Sequence, residues 1–506
     1  MKDLAVFHSL LEGIAEEMGA ALRRSAFSPN IRERLDFSCA LFDLSGQLLA
    51  QAAHIPVHLG SMPQLLQRLA GEVEMGPRDM LLVNDPSWGG THLPDLTLVT
   101  PLTLGTRRLG YAASRAHHAD VGGMAAGSMP MSQELVQEGL ILPPVRLLVN
   151  GRRNADVWAL LLRNVRTPRE REGDLLAQVA ANHTAVRRVG ELAGRVAWES
   201  SCRALLEHSE RLVRVALSDL PAGKARAEDY LEHRGQRVPL RVALEISPGG
   251  LSCDFTGTSP ALPGNLNAPL PVTSAAVYYA VLCLLGGQAP VNQGAFRPIT
   301  IQAPEGSLLN PPPWAAVAAG NVETSQRVVD LVFQALGELA PERVPACSAG
   351  TMNNLVMGGR DWAYYETSGG GAGAARGLPG GSGLQVHMTN TRNTPAESLE
   401  SDHPLRLRRY ALRRGSGGKG AFPGGDGLVR EVELLRPATV SLLAQRRASG
   451  PPGACGGQPG QVGSDTYRLP GGHPQPLDPQ SSQDFPAGTI LRLETPGGGG
   501  WGKAQG

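Results

Sequence analysis

Two segments of this chain bring together residue types that bind metal ions. They are Asn84-Asp-Pro-Ser-Trp-Gly-Gly-Thr-His-Leu-Pro-Asp95 and Ser114-Arg-Ala-His-His-Ala-Asp-Val-Gly-Gly123. Three of the 12 histidines, His92, His117 and His118, fall with Asp95 and Asp120 between positions 92 and 120. Imidazole nitrogens plus one hard carboxylate form the donor set of a catalytic Zn²⁺ or Mn²⁺, with a position left for water. Pro94 biases Leu93 to an extended backbone, so His92 and Asp95 belong to a loop entering a strand rather than to a helix face. The runs Asp95 to Thr103 and Leu109 to His117 read as a hairpin around Gly105, which places residues near 95 opposite residues near 117. Neighbouring strand residues point to opposite faces, so only one of His117 and His118 faces Asp95. Spacing alone leaves that choice open.

Other polar clusters are less specific. In Asn30-Ile-Arg-Glu-Arg-Leu-Asp36, Glu33 and Asp36 are a further ligand or general base, or else partners of Arg32 and Arg34 in a salt-bridged loop. His54 and His58, in His-Ile-Pro-Val-His, read as loop packing. Gly415-Ser-Gly-Gly-Lys-Gly420 matches G-x-G-x-x-G, but Phe422-Pro-Gly-Gly follows where a dinucleotide site needs a helix. The sequence contains no G-x-x-x-x-G-K-[ST] and no G-x-S-x-G, so neither a phosphate loop nor a serine-hydrolase elbow is supported. Gly369 to Gly373 and Gly497 to Trp501 read as turns.

The elements that must position these residues alternate irregularly. A helix opens the chain, with Leu4, Phe7, Leu11, Ile14, Met18 and Leu22 at helical spacing. A hairpin follows (37–43 and 48–53), then a short helix (63–73) and a buried strand (80–84). Two amphipathic helices are expected at 175–196 and 202–217, and a charged linker at Ala222 to Asp229. Strands return at 240–246 and 251–256, and buried helices at 273–285 and 322–339. Short β-like runs (384–389, 428–435, 440–443, 489–494) then alternate with Gly-rich loops. This pattern predicts an α+β fold with mainly antiparallel sheets. It further predicts an N-terminal metal-site lobe over residues 1–235 and a loop-rich C-terminal lobe over 236–506.

Composition excludes several functions. Among 506 residues are 63 Gly and 40 Pro with no collagen period, while 42% hydrophobic content suffices for a core. The 47 Lys and Arg nearly cancel the 46 Asp and Glu, and aromatics are 5%, which argues against nucleic acid or an anionic membrane as partner. The six cysteines form no C-x-x-C. No apolar stretch is long enough for a signal peptide or a bilayer span, so a cytoplasmic protein with reduced thiols is expected.

Several ordered motifs together resemble the hydantoinase B/oxoprolinase family. They are Asn30 to Cys39, His54-Ile-Pro-Val-His-Leu-Gly-Ser-Met62, Asn84 to Asp95, Ala116 to Gly123, Asp254-Phe-Thr-Gly-Thr-Ser259, Gly320-Asn-Val-Glu-Thr-Ser325, Thr389-Asn-Thr-Arg-Asn-Thr-Pro395 and Thr495-Pro-Gly-Gly-Gly-Gly500. The resemblance implies a B subunit of an ATP-dependent hydantoin or 5-oxoproline amidohydrolase within a hetero-oligomer. A partner A-type subunit would bind ATP and phosphorylate the lactam, and this chain would complete hydrolysis at a divalent metal, Mn or Zn. A subunit of an acetone- or acetophenone-type carboxylase and a non-catalytic scaffold are the alternatives. The family's metal triad falls on His92, Asp95 and His117, so the choice of His117 over His118 comes from the resemblance. Glu33 falls where the family has an acid near the metal. Asp36, His118, Asp120 and Arg115 are expected around the triad. One departure is visible: Pro423 precedes Gly424-Gly-Asp426-Gly where the family has Arg.

Overall fold

The computed structural model describes residues 4–52, 55–287 and 289–504. His54 therefore lies outside the described residues. The N-terminal half is built on α1 (Leu4–Ser25), the one-turn α2 (Pro29–Arg32), β1 (Phe37–Phe42), β2 (Leu48–Gln51), α3 (Ser61–Glu72), β3 (Met80–Val83), β4 (Asp95–Leu104), β5 (Arg107–His117), β6 (Val145–Val149) and β7 (Arg152–Arg153). The seven strands form one antiparallel sheet in the order β2-β1-β5-β4-β3-β6-β7. α4 (Ala155–Arg163), α5 (Pro168–Ala193) and α6 (Trp198–Ser218) follow.

This sheet is buried on both faces, and the period-2 alternation of strand side chains divides its residues between two cores. Phe37, Cys39 and Leu41 of β1 and Ala112 and Ala116 of β5 join α1, α5 and α6 in one cluster. Ala40, Phe42, Tyr111 and Ala113 face the larger central core. Long apolar runs in these strands follow from that double burial.

A second sheet is made of β8 (Gly223–His233), β9 (Gln236–Ser247), β10 (Gly250–Asp254) and, after α7 (Leu270–Leu284) and the short α8 (Gln293–Phe296), β11 (Ile299–Gln302). β10 and β11 pair in parallel, and the other ladders here are antiparallel. The segment expected as a charged linker is thus a strand, paired with β9 from Gly223↔Ile246 to His233↔Gln236. Its charges mislead because Lys224, Arg226 and Glu228 alternate with Ala225 and Ala227 and take the outer face. Residue 235 is the tight turn of this hairpin, at φ +76°.

The remainder comprises α9 (Ser325–Leu339), β12 (Asn354–Gly358), β13 (Ala363–Glu366), α10 (Ala396–Asp402), β14 (Leu405–Arg413), β15 (Gly427–Leu434), β16 (Ala438–Leu443), β17 (Ser464–Arg468), β18 (Gln475–Pro476), β19 (Gln480–Phe485) and β20 (Ile490–Glu494). They form sheets of order β13-β12-β16-β19 and β14-β15-β20-β17-β18. Helices and mainly antiparallel sheets make the fold α+β. The run 384–389 is not a strand: beyond a single bridge from Leu384 to Gly370 it pairs with nothing.

The Gly-rich segments are not simply turns. Stretches of 369–373, 380–381, 417–426, 450–460 and 497–500 lie side by side outside any helix or β-ladder and exchange backbone hydrogen bonds. Gly425 N–H donates to Ala372 O (2.9 Å), Gly498 N–H to Gly425 O (2.9 Å) and Gly418 N–H to Gly498 O (2.8 Å). Most of these glycines lack positive φ. What they need is proximity: a Cβ on Gly371 would sit 1.9 Å from Gly425 O, one on Gly425 1.9 Å from Gly381 O, and one on Gly498 2.1 Å from Ala372 O. The G-x-G-x-x-G match and the Pro423 loop both belong to this array, since a Cβ on Gly418 would meet Gln458 O at 2.2 Å and Pro423 O accepts from Gly380 N–H at 2.8 Å.

All six cysteines are free. No described helix is long and apolar enough to cross a membrane.

Candidate metal centre

β4 begins at Asp95 and β5 ends at His117, and the two residues are direct partners in the ladder. The loop before Asp95 is fixed by its own sequence. Asp85 caps a single turn, Pro86–Trp88, by accepting from Ser87 N–H (2.8 Å). Gly89 leaves that turn at φ +96°, and Gly90 lets the chain double back, because a Cβ there would meet Asn84 O at 2.5 Å. The Asn84 amide donates to Leu93 O (2.8 Å) and accepts from Leu142 N–H (2.7 Å), clamping the loop. Asp95 N–H returns to His92 O (3.1 Å), which brings the two side chains to one side.

Three donor atoms converge there. His92 Nε2 lies 3.1 Å from His117 Nδ1 and 3.2 Å from Asp95 Oδ1, and His117 Nδ1 lies 3.3 Å from the same Asp95 Oδ1. All three residues are buried, none more than 2% exposed. Bonds of about 2.1 Å to a divalent ion require donor separations of about 3.0 Å at octahedral and about 3.4 Å at tetrahedral angles. The observed triangle lies between these values. Among the described residues this is the one group of three or more His, Cys, Asp or Glu side chains so disposed.

The surroundings aim these donors. His92 Nδ1 lies 3.4 Å from Ala318 O, so its proton belongs on Nδ1 and Nε2 presents a lone pair. The other Asp95 oxygen, Oδ2, meets His58 Nε2 at 3.3 Å and the Thr91 hydroxyl. His58 Nδ1 in turn lies 2.8 Å from Ser38 Oγ. The His117 ring stacks on Tyr365, with centroids 4.6 Å apart and planes at 21°. Burial alone would raise the Asp95 carboxyl, but His92, His117 and His58 hold it well below the ordinary carboxylate range. Burial pushes His117 and His58 down, whereas at His92 the neighbouring Asp95 carboxylate outweighs burial and raises it.

The expected site residues separate into those turned to the triad and those turned away. His117 shares the face of Asp95. His118 points to the helical layer, where Nε2 meets Gln178 Oε1 of α5 at 3.0 Å, and burial and then Arg171 push it down to about 4. Asp36 adjoins the triad: its carbonyl accepts from His117 N–H (3.0 Å), and its carboxyl is raised by burial against the opposing charges of His117 and Arg34. Glu33 pairs instead with Arg32 (2.9 Å) and is partly exposed. Asp120 is bound by Arg166, at 2.8 Å from Nη1 and 2.8 Å from its backbone N–H. Arg115 donates to Thr97 Oγ1 (2.7 Å), Ser61 Oγ and Gly89 O, and burial lowers it to about 10.

Sequence reasoning passes over three contributors. His58 reaches Asp95 although its local sequence reads as loop packing. Thr91 binds the same oxygen. Glu138, fully buried, accepts from Val317 N–H and Ala318 N–H (3.0 Å each) and Ser132 Oγ (2.7 Å), and so fixes the peptide whose carbonyl holds His92. His58 alone leaves a signal, as the second histidine of His-x-x-x-His.

A family model described as hydantoinase B/oxoprolinase matches residues 2–504. The chain belongs to the hydantoinase B/oxoprolinase family. Its relatives within that family include an uncharacterized protein of Methanocaldococcus jannaschii, 42% identical over 98% of this chain and 90% of the relative. 5-Oxoprolinase 1 of Arabidopsis thaliana is 40% identical over 99% of this chain but only 41% of its own length, so the chain spans about two-fifths of that relative. Among solved structures, an ATP-dependent caprolactamase from Pseudomonas jessenii superimposes with a TM-score of 0.91 at 27% identity, over 99% of this chain and 90% of that one. An acetone carboxylase shares the fold, with a TM-score of 0.90 at 19% identity over 99% of this chain and 75% of that one.

Proposed function

We propose that this chain is the metal-bearing component of an ATP-dependent cyclic-amide amidohydrolase of the hydantoin or 5-oxoproline type. The carrying observation is the near-equilateral triangle of His92 Nε2, His117 Nδ1 and Asp95 Oδ1, with edges of 3.1 to 3.3 Å. The names of the relatives, 5-oxoprolinase and caprolactamase, support the substrate class. Two facts support a separate ATP-binding partner of the A type. The sequence lacks a phosphate loop, and the chain corresponds to only 41% of the Arabidopsis 5-oxoprolinase.

An amide carbonyl is a poor electrophile, and phosphorylation of its oxygen on the partner makes it attackable by water. A divalent ion held by His92, Asp95 and His117 supplies Lewis acidity and lowers the pKa of water. The chain's own residues do the rest. His58 and Thr91 hold Asp95 Oδ2 so that Oδ1 faces the histidines. Ala318 O fixes the tautomer of His92. Tyr365 fixes the plane of the His117 ring. Asp36 is the carboxyl beside the triad available to take a proton, while His118 and Asp120 brace the ends of the hairpin.

The test is ATP-dependent turnover by this chain co-expressed with its A-type partner, against 5-oxoproline, hydantoins, larger lactams and simple ketones. Ring opening of at least one cyclic amide is expected. Bicarbonate-dependent turnover of a ketone and of no lactam would replace this reading with a carboxylase.

A further inference from the structure

On the far side of the single turn Pro56–His58 from the triad lies a cavity of about 470 Å³ that the reaction just described does not use. Pro56 lines it, His58 reaches Asp95, and Val57 N–H between them donates to Met388 O at 3.3 Å. At its base is His387, only 7% exposed and held at φ +56°, a strained backbone for a residue other than glycine. His387 Nε2 lies 3.1 Å from Asp330 Oδ1. Its ring is flanked by Tyr279 (5.9 Å) and Phe333 (5.8 Å). Asp330 is anchored in a buried ionic cluster, with Arg446 at 3.7 Å, which itself binds Asp229 at 2.8 Å.

A carboxylate on one imidazole nitrogen orients the ring and leaves the other free to act. Here the free atom is Nδ1. The ring that carries it lines the cavity, and Nδ1 has no protein partner among the described residues. The cavity offers two further polar groups. Arg343 is exposed and has no acidic partner among the described residues. Ser348 Oγ accepts from Gly373 N–H (3.1 Å) and keeps its own proton for a ligand. The walls between these groups, Tyr279, Phe333 and Pro345, are apolar.

We infer that this cavity is a second small-molecule site, one that takes a compact carboxylic acid bearing an N–H or O–H donor. The carboxylate meets Arg343 and Ser348, the apolar body lies against Phe333 and Tyr279, and the donor reaches His387 Nδ1. A single guanidinium and a hydroxyl match a carboxylate, whereas a phosphate dianion gathers more donors. The chemical class fits a carboxylated lactam or its ring-opened amino acid, a refinement that rests on the proposed function. Its position behind Pro56–His58 makes it an antechamber to the triad.

The test is calorimetric titration of the full chain, stripped of metal by chelation, with 5-oxoproline, 2-pyrrolidinone (the same ring without the carboxylate) and inorganic phosphate. 5-Oxoproline should bind, and 2-pyrrolidinone should bind at least about tenfold more weakly, the worth of a charge-assisted contact. Arg343→Ala should abolish that preference, and His387→Ala should weaken both ligands. Arg343 is on the surface, so its variant decides the matter even if His387→Ala fails to fold. No heat with 5-oxoproline, tighter binding of phosphate, or an affinity indifferent to Arg343→Ala would overturn the site. Because the titration needs neither metal nor ATP, its failure leaves the turnover test standing, and failed turnover leaves this binding intact.

Discussion

Around Asp95 every decisive contact is made by a side chain, whereas around Gly425 none is. At the triad, imidazoles, a carboxylate, a hydroxyl and an aromatic ring occupy a buried volume that backbone alone leaves open. In the glycine array the backbone itself fills the volume, with carbonyl oxygens where Cβ atoms would stand. Both regions are buried, but they fail differently. Removal of an atom damages the first, and addition of one damages the second.

Substitutions break this comparison in opposite directions. The largest effect is expected for His92→Ala: bound divalent metal measured by atomic emission should fall to background and turnover by about a thousandfold or more, since three-donor sites lose their ion with one ligand. Far-UV circular dichroism should stay native, and a variant retaining full metal content would remove the triad from consideration. Gly371→Ala should do the reverse. Its Cβ has Gly425 O at 1.9 Å and Gly498 N at 2.2 Å, so a destabilisation of about 3 kcal/mol or more is expected in denaturant melts. Metal bound per folded molecule should not change.

The side-chain region also titrates. Behind Tyr365, Asn354 Nδ2 donates to Glu323 Oε1 (2.7 Å), and burial pushes the Glu323 carboxyl up to about 8. With the folded value above the ordinary one, the folded protein holds a proton that the unfolded chain releases between roughly pH 4.5 and 8. Stability therefore falls as pH rises through that window. Glu323→Gln cannot ionise, so its melting temperature should gain on the parent between pH 5 and pH 8.5, and a constant difference would refute the assignment. The smallest effect sharpens the contrast among glycines. Gly13 lies within α1, and a methyl group added there would meet nothing within 4 Å, so Gly13→Ala should stabilise by about 0.5–1 kcal/mol.

The sequence is most legible where a local rule applies. The hairpin that joins Asp95 to His117 follows from strand alternation about a Gly turn, and the same alternation turns His118 toward Gln178. The helices over 168–193 and 198–218 follow from apolar periodicity. Less legible is whatever depends on partners distant in the chain. His58 lies 37 residues from Asp95 and resembles loop packing because nothing local announces its partner. Glu33 is drawn to Arg32 next to it. β8 is hidden by surface charges that alternate with alanines. The glycine array reads as turns because composition reports conformational freedom, whereas these glycines serve close approach between segments up to 126 residues apart, such as 372 and 498.

The array has a spectroscopic consequence. Its amides belong to no helix and no sheet, so circular dichroism counts them with the coil. Yet Gly425, Gly498 and Gly418 donate to carbonyls in a buried lattice. In hydrogen exchange such amides behave as core: they open with the global unfolding of the chain rather than with its loops. A glycine-rich stretch of low complexity is here among the most slowly exchanging parts of the protein.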